Sequence, residues 1–342
     1  MRLLRWLVAS MTCTVLFVPN SSAHHAPVEF DLESVIALEG TVVRYDWQNP
    51  HVYIYVETEQ TDGESIEWTI ETQWTAMLSR SGWTSESFSV GDHVTIRASP
   101  DRNAQKTHAR LLSIESDSVS LTPESSISLA TEAARPIAST SSLSGIWHAE
   151  RASPGVFAQA LAEHPLTEKG AIARANYDFL TDNPQVDCVP FTSPFWVRAG
   201  RWYLSEIEVQ EDRVFIRSEF FDSERTIYTD GRGHPDNGER TNQGHSIGRW
   251  ENGVLVVDTT LFEDNRSAYN TGIGIPSGSQ KHVIERYALS EDGTHLVVDV
   301  FLEDPEYLAE PFIGNVVWNY VPHLEMLQVD CDPEVARRYT LQ

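Results

Sequence analysis

The stretch "TIYTDGRGHPDNGERTNQGHSIGRWENGVLVVDT", residues 226–259, gathers Tyr228, Asp230, Arg232, His234, His245, Arg249 and Asp258 in one short length of chain. A carboxylate beside an imidazole holds one tautomer and raises its basicity, which is what general acid–base catalysis needs. Asp230 or Asp258 is expected to do this for His245, with Tyr228 as a further proton carrier. His245 starts a strand and is expected to point inward, while His234-Pro235 sits in a Gly-rich loop. On a later strand His282 and Glu285 stand three residues apart, so alternation sends at most one of them inside. The plainer alternative is a polar loop network. In it Asp230 caps a turn, and Arg232 or Arg249 pairs with a carboxylate.

A second group of imidazoles lies near the start of the chain, at His24, His25 and His51. Residues 2–5 carry two arginines, residues 7–18 are mostly apolar, and Ser21-Ser22-Ala23 supplies the small residues that a signal peptidase reads. The apolar part is shorter than the roughly 20 residues that a spanning helix needs. Cleavage after Ala23 is therefore expected, giving a periplasmic or secreted protein with no integral membrane segment. His24 would then be the first residue. Its free amine and Nδ1 chelate Cu(II) well, and His25 or His51 is the further nitrogen ligand. Asn49-Pro50-His51 reads as a turn at a barrel rim; a polar leader and a hydrogen-bonded turn histidine are the plainer account.

Charge narrows the partners. The chain has 25 basic and 50 acidic residues, a formal net charge of −25. Such a surface repels phosphate backbones and anionic lipid, so nucleic-acid binding is excluded as a function class. Without residues 1–23 two cysteines remain, Cys188 and Cys331. In an oxidising compartment they are expected to pair, and closing so long a loop contributes about 5 kcal/mol in the chain-entropy account.

These groups need a scaffold, and the patterning is almost all β. Residues 24–115 contain five strand-like runs, "ALEGTVVRYDWQ", "HVYIYVET", "SIEWTIETQ", "DHVTIRASP" and "ARLLSIES". A short helical piece, "TAMLSRSGW", precedes the fourth, which predicts an OB-like small barrel. Residues 116–142 are rich in Ser, Thr, Ala and Pro and read as a tether. Residues 143–342 open with "LSGIWHAE", pass through a helical "TEKGAIARANYDFL", and then carry eight strand-like runs from "WYLSEIEVQ" to "NVVWNYVP". Glu-Asn-Gly at 251–253 and Glu-Asp-Gly at 291–293 look like hairpin turns. This predicts a lipocalin-like antiparallel barrel, large enough to hold one small ligand. Of the many aromatics, most are expected to fill the core. Trp250 and Trp318, with Arg232, His234, Arg249 and Glu285, are the candidates for ligand contact. "GIGIPSG", residues 272–278, is expected to be a mobile loop at the barrel mouth. "GHSIG" lacks the strand–turn–helix context of a nucleophile elbow.

Two sets of motifs are familiar. "HHAPVEFD", "ALEGTVVRYDWQNPHVYIYVET" and "VGDHVTI" resemble the secreted bacterial domain of unknown function DUF6152. "IYTDGRGHP", "GHSIGRWENGVLVVDTTLF", "HVIERY" and "LEDPEYLAEPF" are similar to the C-terminal region of uncharacterised exported proteins. The resemblance implies kinship over most of the chain and brings no reaction with it. The expectation is an exported binder of a small, largely apolar molecule in the C-terminal barrel, with a candidate copper site on the first. The alternative is an enzyme using the His/Asp pair for isomerisation, elimination or hydrolysis of a terpenoid, steroid or aromatic substrate. A third is an envelope scaffold that only presents surfaces.

Overall fold

The computed structural model describes residues 30–337, apart from 61–62, 117–119, 122–136, 151, 179–181, 200–202 and 265–273. The first half is a closed barrel of five strands, β1 (Ile36–Asp46), β2 (Tyr53–Glu59), β3 (Ser65–Glu71), β4 (His93–Pro100) and β5 (His108–Ser116). Their order is β3-β2-β1-β4-β5, and a parallel pairing of β3 with β5 at Thr69–His108 closes it. Inward residues Val42, Ile54, Val56, Ile70, Val94, Ile96 and Ile114 are fully or almost fully buried. Gly40 is required where β1 passes β2: a Cβ there would lie 2.3 Å from the Glu57 carbonyl oxygen. Helix α1 (Thr75–Arg80) stands between β3 and β4, as expected. The Asn-Pro-His turn has a clear task here, since Asn49 Oδ1 accepts the Thr75 backbone N–H at 2.9 Å and caps that helix.

The second half is a closed barrel of nine strands. They are β7 (Gly145–Ala149), β8 (Ser205–Val209), β9 (Arg213–Ser218), β10 (Ser223–Tyr228), β11 (His245–Glu251), β12 (Val254–Thr260), β13 (His282–Leu289), β14 (His295–Glu303) and β15 (Phe312–Tyr320). Each of the eight expected runs overlaps one of these strands, and "LSGIWHAE" supplies the ninth. The barrel is not antiparallel throughout, as the patterning predicts it to be. Eight neighbouring pairs are antiparallel, but β10 and β11 run parallel, because the long 229–244 connection returns the chain to the same end.

Among the described residues the interior holds a packed apolar core. Trp147, Trp196, Trp318, Tyr287 and the apolar residues of alternate strand positions form one core. Trp318 donates to the Val197 carbonyl at 2.9 Å, so it is a packing residue and not an open ligand contact. Two helices that the patterning missed close the barrel, α2 (Ser153–Ala162) and, after α3 (Glu168–Ala175), the short α4 (Phe195–Ala199). A Pro and a Gly open α2, and α4 is only five residues of mostly apolar sequence, so neither shows a sustained helical period. Ile275 and Ser277 of the "GIGIPSG" segment are buried, which corrects the expectation of a mobile loop for the described residues 274–278.

The tether also reads differently. Ser120–Leu121 adds a small strand, β6, to β5. The two barrels are packed against each other, with Trp74 stacked on Tyr203 at 4.6 Å within an apolar cluster that includes Phe220 and Val329. Beside it Arg80 reaches the Glu219 carboxylate, which also accepts the Leu204 and Leu327 backbone N–H groups. Cys188 and Cys331 meet at disulfide distance, with Cα atoms 5.7 Å apart.

Candidate functional site

Alternation along β11 to β14 sorts the polar residues into two layers at one end of the large barrel. Ser246, Thr259 and Glu285 are buried and point inward. Their neighbours His245 and Asp258, and likewise His282, therefore stand on the outer wall. This corrects the expectation that His245 faces inside. His245 lies opposite Thr260 in the β11–β12 pairing, whereas Asp258 lies opposite Ile247. The two are thus diagonal neighbours, about 7–8 Å apart at the backbone, too far for a direct bond between short side chains.

His234, carried in by the 229–244 connection, fills that gap. Its Nδ1 is 2.8 Å from His245 Nδ1 and its Nε2 is 3.2 Å from Asp258 Oδ1. His282 joins from the other side, Nε2 to Asp258 Oδ1 at 2.9 Å, and its Nδ1 lies 3.9 Å from Glu303 Oε2. Tyr228 stacks on His245 with centroids 5.5 Å apart, and the Arg232 guanidinium sits over the Tyr228 ring. The site is half-buried, with the Asp258 side chain 28% exposed.

Its electrostatics separate the roles. The hydrogen bond from His282 holds the Asp258 carboxyl below the ordinary carboxylate range, and the same bond raises His282. His245 is lowered, chiefly by burial, with His234 and Arg232 adding repulsion. The arrangement is thus an ionised carboxylate between two imidazoles, one passing on to a third that stays neutral. It can move a proton between His245 and Asp258 through His234.

The remaining expected residues are not brought into this group. Asp230 is taken by Arg232, whose hydrogen bonds lower it to about 2, so the partner of the histidines is Asp258 and not Asp230. Arg249 pairs with Glu251 on the surface, and Trp250 is exposed. Glu285 is buried with Arg225 and Ser193, in the inner layer with Lys281. The candidate ligand contacts Arg249, Glu285, Trp250 and Trp318 therefore do not converge on one cavity. His282 and Glu303 complete the cluster. Their signal in the sequence was parity, since each stands at an outward position beside a strand end.

On the first barrel, His51 Nδ1 is 3.0 Å from the Thr72 carbonyl and 3.4 Å from Glu71. His108 faces the other oxygen of Glu71 at 3.5 Å and Asp101 at 3.4 Å. Burial pushes the Glu71 carboxyl up, but His51, His108 and Arg110 together bring it below its ordinary value. His24 and His25 lie outside the described residues. Among the described residues no group of three or more His, Cys, Asp or Glu side chains is arranged to hold a metal ion. Nor is any described helix long and apolar enough to cross a membrane.

The protein is thus a mainly β chain of two closed barrels. The first is a DUF6152 domain: the family model described as "Family of unknown function (DUF6152)" matches residues 14–110. No curated protein matches the chain.

Proposed function

We propose that this protein is an exported enzyme of the acid–base type, working on a small molecule at the outer wall of its nine-stranded barrel. The observation that supports it is the chain Asp258–His234–His245. With Asp258 ionised, His234 donates from Nε2 to the carboxylate and accepts at Nδ1 the proton of His245 Nδ1. His245 Nε2 is then left as the base. It takes a proton from a substrate carbon or a bound water, and the imidazolium that forms is balanced through His234 by Asp258. The same proton returns to the product, which is the cycle of an isomerisation, an elimination or a hydrolysis. The edge of the Tyr228 ring beside His245 suits contact with a terpenoid, steroid or aromatic body. Because core side chains fill the barrel interior, we place the apolar ligand outside it.

The test is turnover of a panel of aryl esters, lactones and unsaturated ketones by the secreted protein and by His245→Ala. The variant should bind its substrate and lose turnover by about 10² to 10⁴. Probes bound but never turned over between pH 5 and 9 would show a binder instead, and equal turnover by the variant would remove His245 as the base.

One observation favours a second site. His51 and His108 share Glu71, and Phe30, a few residues after His24 and His25, packs its ring on His108 at 4.7 Å. We propose that a mature N-terminal histidine binds copper here. Copper content and EPR of protein exported with its own leader test this. One equivalent in a nitrogen-rich site, lost in His24→Ala, is expected; metal-free protein with a correctly cut N-terminus refutes it.

A further inference from the structure

We propose that Arg225 is a positioning residue for the histidine site, bolting the barrel's parallel seam from the inside so that His234 can bridge His245 to Asp258. The inference rests on the acid–base reading of the cluster given above.

The seam needs a bolt. β10 and β11 pair only through Ile227–Ser246 and Tyr228–Ile247, fewer residue pairs than any other neighbouring strands in the barrel. His245 stands on that seam, and Tyr228, which stacks on it, stands on the other side. Arg225, almost wholly buried, extends from β10 across three strands. Its Nε donates to Ser246 Oγ of β11 at 3.0 Å, and its Nη2 to Thr259 Oγ1 of β12 at 2.7 Å. Nη2 also lies 2.5 Å from Glu285 of β13, and Nη1 is 3.4 Å from Ser193 Oγ beside α4. Ser246 and Thr259 are themselves 2.9 Å apart.

The chemistry of the fork matters. A guanidinium is planar and presents its donors at fixed angles, so bonds to Ser246 and Thr259, which already face each other in the β11–β12 pairing, hold β10 against both strands. Each is next in sequence to a member of the outer site: Ser246 follows His245 and Thr259 follows Asp258. Alternation then carries the placement of β10 to the outer wall, where Tyr228 ends the strand and the chain leaves for His234. Arg225 touches none of the histidines and takes no part in proton transfer.

The readout is the 15N–15N scalar coupling across the His245 Nδ1–His234 Nδ1 contact in the 15N-labelled secreted protein. His245 donates and His234 accepts over 2.8 Å, with His234 Nε2 held by Asp258, so the wild-type protein should show that coupling. Arg225→Lys keeps the charge and loses the fork. A second variant, Ser246→Ala with Thr259→Val, removes two acceptors while leaving the Arg225–Glu285 pair intact. In either variant, folded by near-UV circular dichroism, the His245–His234 coupling should be lost. If Arg225→Lys does not fold, the double variant decides alone. Folded variants that keep the wild-type coupling overturn the role of Arg225 and leave the acid–base reading standing. A wild-type protein without the coupling overturns both.

Discussion

Replacing Asp258 by Asn tests the electrostatics of the cluster directly, because Asn keeps the shape and removes the charge. In the folded protein Asp258 accepts from His282 at 2.9 Å and from His234 at 3.2 Å. Hydrogen bonds to a charged group contribute about 1.5–3 kcal/mol each when shielded. With the Asp258 side chain 28% exposed and His282 29% exposed, solvent screening reduces that to about 1 kcal/mol each. The expected loss is therefore about 2 kcal/mol, and it should depend on pH in a defined direction. His282 is raised in the folded state, so its contribution is fully present below its unfolded value near 6.5 and is lost as pH rises through the folded value. Asp258 is lowered, so its contribution is present above its unfolded value near 3.8 and disappears as pH falls through the folded one. The gap between wild type and Asp258→Asn should be widest around pH 5 to 6. It should narrow to about 1 kcal/mol by pH 8 to 9, where the charge of His282 is gone and the hydrogen bond from His234 to the carboxylate is the main loss. Urea unfolding at pH 4, 5.5, 7 and 8.5 measures it. A gap that is constant, or that grows with pH, would mean that Asp258 does not face protonated His282, and the proton path would lose its anchor.

Two further substitutions probe the scaffold. Arg80→Ala leaves Glu219, whose side chain has no exposure, without its cation between the barrels. Breaking a buried pair costs about 3–5 kcal/mol, and two backbone donors soften the loss, so about 3 kcal/mol is expected in chemical denaturation. Faster proteolytic separation of the two halves should accompany it; unchanged stability would mean the interface is not formed. Gly40→Ala forces a Cβ to within 2.3 Å of a carbonyl oxygen on the next strand. It should destabilise the first barrel by about 3 kcal/mol, the upper end for overpacking, seen as an early unfolding step in Trp fluorescence that leaves the second barrel in place.

The strands were legible because each carries its own signal. Alternation over residues such as Val254–Thr260 and His282–Leu289, with Gly turns between, is a local property. The two closed barrels follow from it, and parity alone separated Glu285 from His282. What parity cannot say is which side is inside. The run "HSIGRW" has both apolar and polar residues on each face, so nothing in it fixes the side on which His245 stands. The parallel seam was equally hidden, since nothing local distinguishes a connection that reverses the chain from one that returns it to the same end. The helices α2 and α4 are held by tertiary contacts more than by their own propensity, as short helices usually are.

The order of residues is enough to give the set of strands, the dense run of chemical groups, and the pair of cysteines that meet. Which of those groups meet was decided only by the folded barrel. His234 and His245 are eleven residues apart in a loop and a strand, while Asp258 and His282 come from two further strands. Their contact depends on the register of three strands and on where a sixteen-residue connection lands. Asp230 and Arg232, two residues apart, satisfied each other locally. Asp258 had no such near partner, and long-range packing brought the histidines to it.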